Sequence, residues 1–164
     1  MDALRKMLDD LKFKNVQTYI QSGNIIFQDK KISCELFEKK IAKEIKLEFG
    51  FDVPVMVKEV EEMKVVLKNN PFVNKRKEDI TKLHVTFLSS EPSKENVEKI
   101  KNGNYSDDEY IFIGKSIYLF CPNGYGNTKL NNNFFESKLK LTATTRNWKT
   151  INELVGIAEN ISNK

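Results

Sequence analysis

Cysteine, histidine and tryptophan are nearly absent from this chain: of its 164 residues two are Cys, one is His and one is Trp. Cys34 and Cys121 stand far apart and form neither a zinc spacing nor a C-x-x-C redox pair, so they read as free thiols of a reducing compartment. One histidine and two distant cysteines make no zinc site, and neither metal nor cofactor is expected. His84 alternates with Leu83 and Val85 in a strand-like run with no nucleophile motif around it, which favours a packed or edge histidine over a general base. No apolar run approaches the length of a membrane span, and Met1-Asp2-Ala3-Leu4 opens a helix rather than a signal peptide. These absences predict a cytoplasmic protein with no membrane partner.

An excess of one charge is also missing. Against 27 Lys+Arg stand 23 Asp+Glu, a net charge of +4 spread along the chain. That balance permits contact with anions without the concentrated basic face that nucleic acid usually calls for. Lys75-Arg76-Lys77 is broken at once by Glu78-Asp79, and the acidic pairs Asp9-Asp10, Glu61-Glu62 and Asp107-Asp108 read as solvated surface. What is plentiful is core material: 40% hydrophobic residues, with eleven Phe and five Tyr. The length suits one ordinary domain or two small packed subdomains.

Leu4, Met7, Leu8 and Leu11 recur at helical spacing. Residues 16–20 and 25–27 read as paired strands around a Gln21-Ser22-Gly23-Asn24 turn. Ser33 caps a helix that buries Phe37, Ile41 and Ile45 and stops at Gly50. Residues 53–57 are expected as a strand and 59–67 as a helix. The polar stretch 73–79 reads as a mobile connection and marks the boundary between halves 1–70 and 80–164. In the second half, strand 83–88, a helix opened by Ser93, a hairpin of 110–113 and 116–120, a helix from Thr128 to about Leu139, and an extended piece 142–146 precede the final helix.

The fold class is therefore α+β. The second half has the β-α-β-β-α-β order of a ferredoxin-like half plus a C-terminal helix. The first half has α-β-β-α-β, the same order without its opening strand. In that arrangement the opening strand is central, so its absence leaves two flanking strands facing a gap of unpaired N–H and C=O groups. The expectation is that the natural start lies upstream of Met1.

Thr144-Thr145-Arg146-Asn147-Trp148-Lys149-Thr150 sets two cations, an indole and several hydroxyls where a helix exposes free N–H groups. Such a place suits an anion. Thr150-Ile151-Asn152-Glu153 fits a capping box, which would make Thr150 the cap. Thr145, Arg146, Asn147, Trp148 and Lys149 are the leading ligand-binding candidates, Arg146 as a fork and Lys149 as a point charge. Gly124, Gly126, Asn127, Thr128 and Lys129 form a glycine-bearing loop that can turn its amides toward a ligand, though without Walker spacing. A cleft shared by the two segments would unite them. Gln21, Ser22 and Asn24 are weaker candidates, because turn chemistry already accounts for Gly23 and Asn24.

Thr18-Tyr19-Ile20-Gln21-Ser22-Gly23-Asn24, Phe49-Gly50-Phe51-Asp52-Val53-Pro54-Val55 and the 144–150 segment resemble the signature stretches of the domain-of-unknown-function family 1697. Asn70-Pro71-Phe72, Val85-Thr86-Phe87-Leu88 and Lys129-Leu130 sit where that family has similar words. The resemblance implies two ferredoxin-like halves and supplies no reaction, substrate or cofactor. Family members begin with an extra strand and a glycine-bearing loop that this chain lacks. The residues themselves support three readings: a binding module for a small anionic ligand or nucleic acid, an enzyme on an anionic substrate with His84 or Glu153 as proton carrier, or a homodimer formed through an exposed sheet edge.

Overall fold

The computed structural model describes residues 1–20, 23–30 and 32–164. Gln21 and Ser22, with the ligand roles expected of them, lie outside the described residues, as does Lys31. The fold is α+β, and the chain divides into two compact units, Met1–Lys64 with Asn152–Lys164, and Val65–Ile151.

The first unit opens with α1 (Asp2–Asp10), followed by β1 (Lys14–Tyr19) and β2 (Asn24–Gln28), which pair antiparallel with Thr18 opposite Ile25. Next comes α2 (Cys34–Phe49). The Ser33 hydroxyl accepts from the Leu36 N–H at its start. Gly50 closes it at φ 76, a left-handed conformation that glycine adopts without steric cost. Met7, Leu8, Phe13, Val16, Phe37 and Ile41 form the core, with Phe13 stacked on Phe27 at 4.6 Å between ring centroids.

Residues 53–57 do not form the expected strand. The sheet of this unit ends at β1 and β2, so the segment has no ladder to join. It is held instead by Val55 and Val57 packing on the core and by the Val57 N–H donating to Glu38 Oε1 at 2.9 Å. Helix α3 (Val60–Lys68) follows, and its residues from Val65 belong to the second unit.

In the second unit, part of the supposed connection is a short helix, α4 (Pro71–Asn74). Asn70 caps it and Pro71 supplies the preset φ of a first helical turn. Buried Phe72 anchors the turn, so Val73 and Asn74 at the start of the polar stretch are helical. Beyond it run β3 (Leu83–Leu88), α5 (Lys94–Lys101), β4 (Glu109–Ile113), β5 (Ser116–Phe120), α6 (Asn132–Leu139) and β6 (Ala143–Asn147). The strands form one antiparallel sheet in the order β4-β5-β3-β6.

Strand alternation sorts the side chains onto two faces. Leu88 of β3, Ile117 and Leu119 of β5 and Ala143 of β6 meet Ile100 of α5 and Phe135 and Leu139 of α6 in a sealed core. The opposite face carries Leu83, Val85 and Phe87 of β3 with Tyr118 and Phe120 of β5. There the buried Tyr118 hydroxyl donates to the Val66 carbonyl of α3 at 2.8 Å, and Phe72 packs on Phe120 at 5.9 Å.

Helix α6 begins at Asn132, later than the expected Thr128. The Thr128 hydroxyl donates to Asp108 Oδ2 and accepts from the Leu130 N–H, and this turn delays the helix until Asn131 can cap it. The last helix, α7 (Trp148–Ser162), follows β6 without a loop. Its cap is therefore Asn147 rather than Thr150, whose N–H donates to Asn147 Oδ1 at 2.7 Å.

Candidate functional site

Five of the expected ligand residues lie where β6 becomes α7. Alternation along β6 sends them in different directions. Val85 is the cross-strand partner of Arg146, and Thr86 that of Thr145. Arg146 therefore shares the face of Val85 and Tyr118, whereas Thr145 shares the face of α5 and α6. The Arg146 side chain is half-buried, and its Nη1 donates to the Thr145 carbonyl at 2.9 Å. Burial pushes its pKa below the ordinary arginine range. Trp148 is buried, so its indole is a packing group, while Asn147 and Lys149 are exposed.

On the other face, Thr145 belongs to a chain of polar contacts. Its hydroxyl donates to Asn132 Oδ1 at 3.1 Å, which leaves the Thr86 hydroxyl, 2.8 Å away, to donate to Thr145. The Asn132 N–H donates to the Tyr125 hydroxyl at 3.0 Å. The Tyr125 ring stacks on His84 at 4.5 Å between centroids, and His84 lies opposite Asn147 in the sheet. The loop that holds Tyr125 thus stands beside the beginning of α7, on the side away from the Arg146 guanidinium.

Within the loop, Gly126, Asn127 and Lys129 are exposed, and Gly124 adopts φ 91 ahead of a 3-10 turn, Tyr125–Asn127. The Asn127 amide donates back to the Asn123 carbonyl at 2.9 Å. Thr128 is buried and bonded to Asp108, so a carboxylate rather than a free donor sits under this end of the loop. The first-unit candidate Asn24 is also buried, its amide donating to the Tyr19 carbonyl at 3.3 Å.

His84 is half-buried and its Nδ1 has no hydrogen-bond partner among the described residues. Desolvation lowers its pKa, so the ring is neutral at neutral pH. No group of His, Cys, Asp and Glu among the described residues is arranged to hold a metal ion. No helix among them is long and apolar enough to cross a membrane.

Arg146 and Lys149 are legible in the sequence as cations beside a helix start, whereas Asn132, Tyr125 and Thr86, which tie the loop to the strand, are not. Nothing in their local sequence signals that role, since it arises from residues distant in the chain meeting across a sheet.

A solved structure with a similar fold is the conserved bacterial protein SP0830 from Streptococcus pneumoniae. It shares 21% identity, with a TM-score of 0.74 over 97% of this chain and 88% of that one. At that identity the likeness concerns the fold. Among curated proteins, none matches this sequence. The family described as Protein of unknown function (DUF1697) matches residues 1–118, most of the chain, and the protein belongs to that family.

Proposed function

We propose that this protein is a cytoplasmic binding module for an anionic ligand, one bearing a phosphate or carboxylate, held at the beginning of α7. The observation that carries the reading is the direct passage of β6 into a 15-residue helix, with Asn147 and Lys149 exposed at its positive end. In this reading Lys149 provides the charge and exposed Asn147 lines the approach. Gly126, Asn127 and Lys129 of the loop form the neighbouring wall, with the Tyr125–His84 stack supporting it, while Thr145, Thr128 and Trp148 hold the surrounding structure in place. The scaffold is a pair of ferredoxin-like halves, 1–70 and 80–164. The strand order β4-β5-β3-β6 and the β-α-β-β-α-β sequence of elements support that description of the second.

The test is thermal denaturation with inorganic phosphate, pyrophosphate or a short single-stranded oligonucleotide. A ligand that binds the folded state alone raises the melting temperature in step with its concentration. We expect a rise with at least one of these probes, lost in Lys149→Glu and kept in Lys39→Glu, a matched charge change on the exposed surface of α2. A wild-type melting temperature unmoved by every probe refutes the module. A shift that survives Lys149→Glu moves the site elsewhere. An oligonucleotide-only response identifies nucleic acid as the ligand, and consumption of a probe would make the protein an enzyme.

A further inference from the structure

The two edges of the second unit's sheet are built differently. On β5, the Lys115 carbonyl accepts from the Leu88 N–H at 2.8 Å and the Cys121 N–H donates to the Lys82 carbonyl at 2.9 Å. Odd-numbered residues of β5 therefore bond to β3, and Ser116, Tyr118 and Phe120 bond to Ile113, Ile111 and Glu109 of β4. It follows that Tyr110 and Phe112 aim their N–H and C=O groups away from the sheet. On β6, the Ser89 N–H donating to the Thr142 carbonyl fixes the same alternation, so Ala143 and Thr145 point outward.

The β6 edge is closed by side chains. The Ala143 N–H donates to Glu136 Oε1 at 3.0 Å, the Ala143 carbonyl accepts from Asn132 Nδ2 at 2.9 Å, and the Thr145 carbonyl accepts from Arg146 Nη1. The β4 edge has no such cover: among the described residues, the outward groups of Tyr110 and Phe112 have no hydrogen-bond partner. Nor does β4 carry the usual protections of an edge strand. Its residues Glu-Tyr-Ile-Phe-Ile include no proline and no lysine, and no bulge interrupts its pairing with β5.

We propose that the β4 edge pairs antiparallel with the β4 edge of a second copy of this chain, extending the four-stranded sheet across a two-fold axis at Ile111. The strand is self-complementary in this register. Tyr110 of one copy exchanges both backbone bonds with Phe112 of the other, using all four outward groups of each strand. The Ile111 residues face each other as the closer, non-bonded pair. Tyr110 and Phe112 are already locked on the helix side through Tyr105 and Phe135, so the edge is rigid before it meets a partner. Ile111 and Ile113, 36% and 41% exposed, lie on the opposite side and are covered by association. The same register brings exposed Lys115, at the hairpin turn, opposite exposed Asp107 of the other copy, while Glu109 stays paired with Arg76 of its own chain. A second copy fits where an unrelated partner would need to match both the apolar middle and the opposite charges at the ends.

Sedimentation equilibrium of the full chain over a wide concentration series tests this. We expect the wild-type mass to climb from 19.0 kDa toward twice that value. Ile111→Lys sets two ammonium groups against each other at the axis and is expected to raise the dissociation constant about tenfold or more, with a melting curve that matches the wild type's at concentrations too low for association. Ile111→Cys, in a Cys34→Ser background, is expected to form a covalent dimer on mild oxidation. Facing residues of a non-bonded pair lie about 4.5 Å apart at Cα, within disulfide reach. A wild type that stays at 19.0 kDa throughout, an Ile111→Lys variant that associates as the wild type does, or an Ile111→Cys variant that fails to cross-link each overturns the proposal. None of these outcomes depends on whether an anion binds at α7.

Discussion

At the scale of single residues, His84 shows how burial sets chemistry. Its ring stacks on Tyr125 and desolvation holds its pKa below the ordinary value of 6.5. Over the range between that value and the folded pKa, the unfolded chain binds the proton and the folded chain does not, so stability falls as the pH drops below about 6.5. With a single histidine in the chain, this window belongs largely to one group. We expect the urea midpoint of the wild type to fall between pH 7.5 and pH 5, and to fall less in His84→Phe. Equal slopes in the two proteins would remove the role of burial. Other buried groups stay neutral throughout: burial pushes the Tyr118 hydroxyl up to about 12 and the Cys121 thiol up to about 11. Arg146 and Lys149 separate at this scale too. Both were legible as cations beside a helix start, but only strand alternation decides that the guanidinium turns to the Val85 face and closes its own strand's edge.

At the scale of elements, the ends of helices were the most legible feature. Ser33 and Ser93 cap the helices expected of them, and Gly50 ends α2. The reason is local: a hydroxyl or a left-handed residue acts within one turn of its own position. At the start of α7 the capping box points to Thr150, yet Asn147 is an equally competent cap, and the choice falls to how far β6 stays bonded to β3. Since His84 still pairs with Asn147, the helix can begin directly after it. Asn147→Ala should therefore cost about 1 kcal/mol in a urea titration, with Thr150→Ala, which leaves that cap acceptor in place, costing less. A reversed ranking would return the cap to Thr150. Tyr118 performs the complementary task at a helix end by donating to a carbonyl in the last turns of α3. Tyr118→Phe is expected to lower stability by about 1 kcal/mol, read as a shift in urea midpoint at constant slope. The strand expected at 53–57 was lost for a non-local reason, since an extended, β-branched segment becomes a strand only where a ladder is available to it.

At the scale of the whole molecule, the chain forms two compact units whose membership is not contiguous, because Asn152–Lys164 group with Met1–Lys64. Helices α3 and α7 each begin in one unit and end in the other. Among the described residues, the second sheet has one edge sealed by Asn132, Glu136 and Arg146 and one edge without hydrogen-bond partners, and this asymmetry separates the two proposals physically. The proposed ligand site lies at the sealed end where β6 meets α7, and the proposed self-pairing involves β4. Ile111→Lys should accordingly keep any phosphate-dependent rise in melting temperature that the wild type shows, and Lys149→Glu should keep its dimer. Loss of both properties in either variant would mean that one surface serves both.

By itself the sequence determined the α+β class, the order of elements in the second half, most helix ends and the family, because periodicity, capping and signature words are written within short stretches of chain. The tertiary structure alone decided which side of the sheet each site residue occupies, which strand lacks a ladder, where α7 is capped and which edge stays open. Those outcomes depend on pairing between residues far apart in the chain, and a local pattern carries no record of its partner.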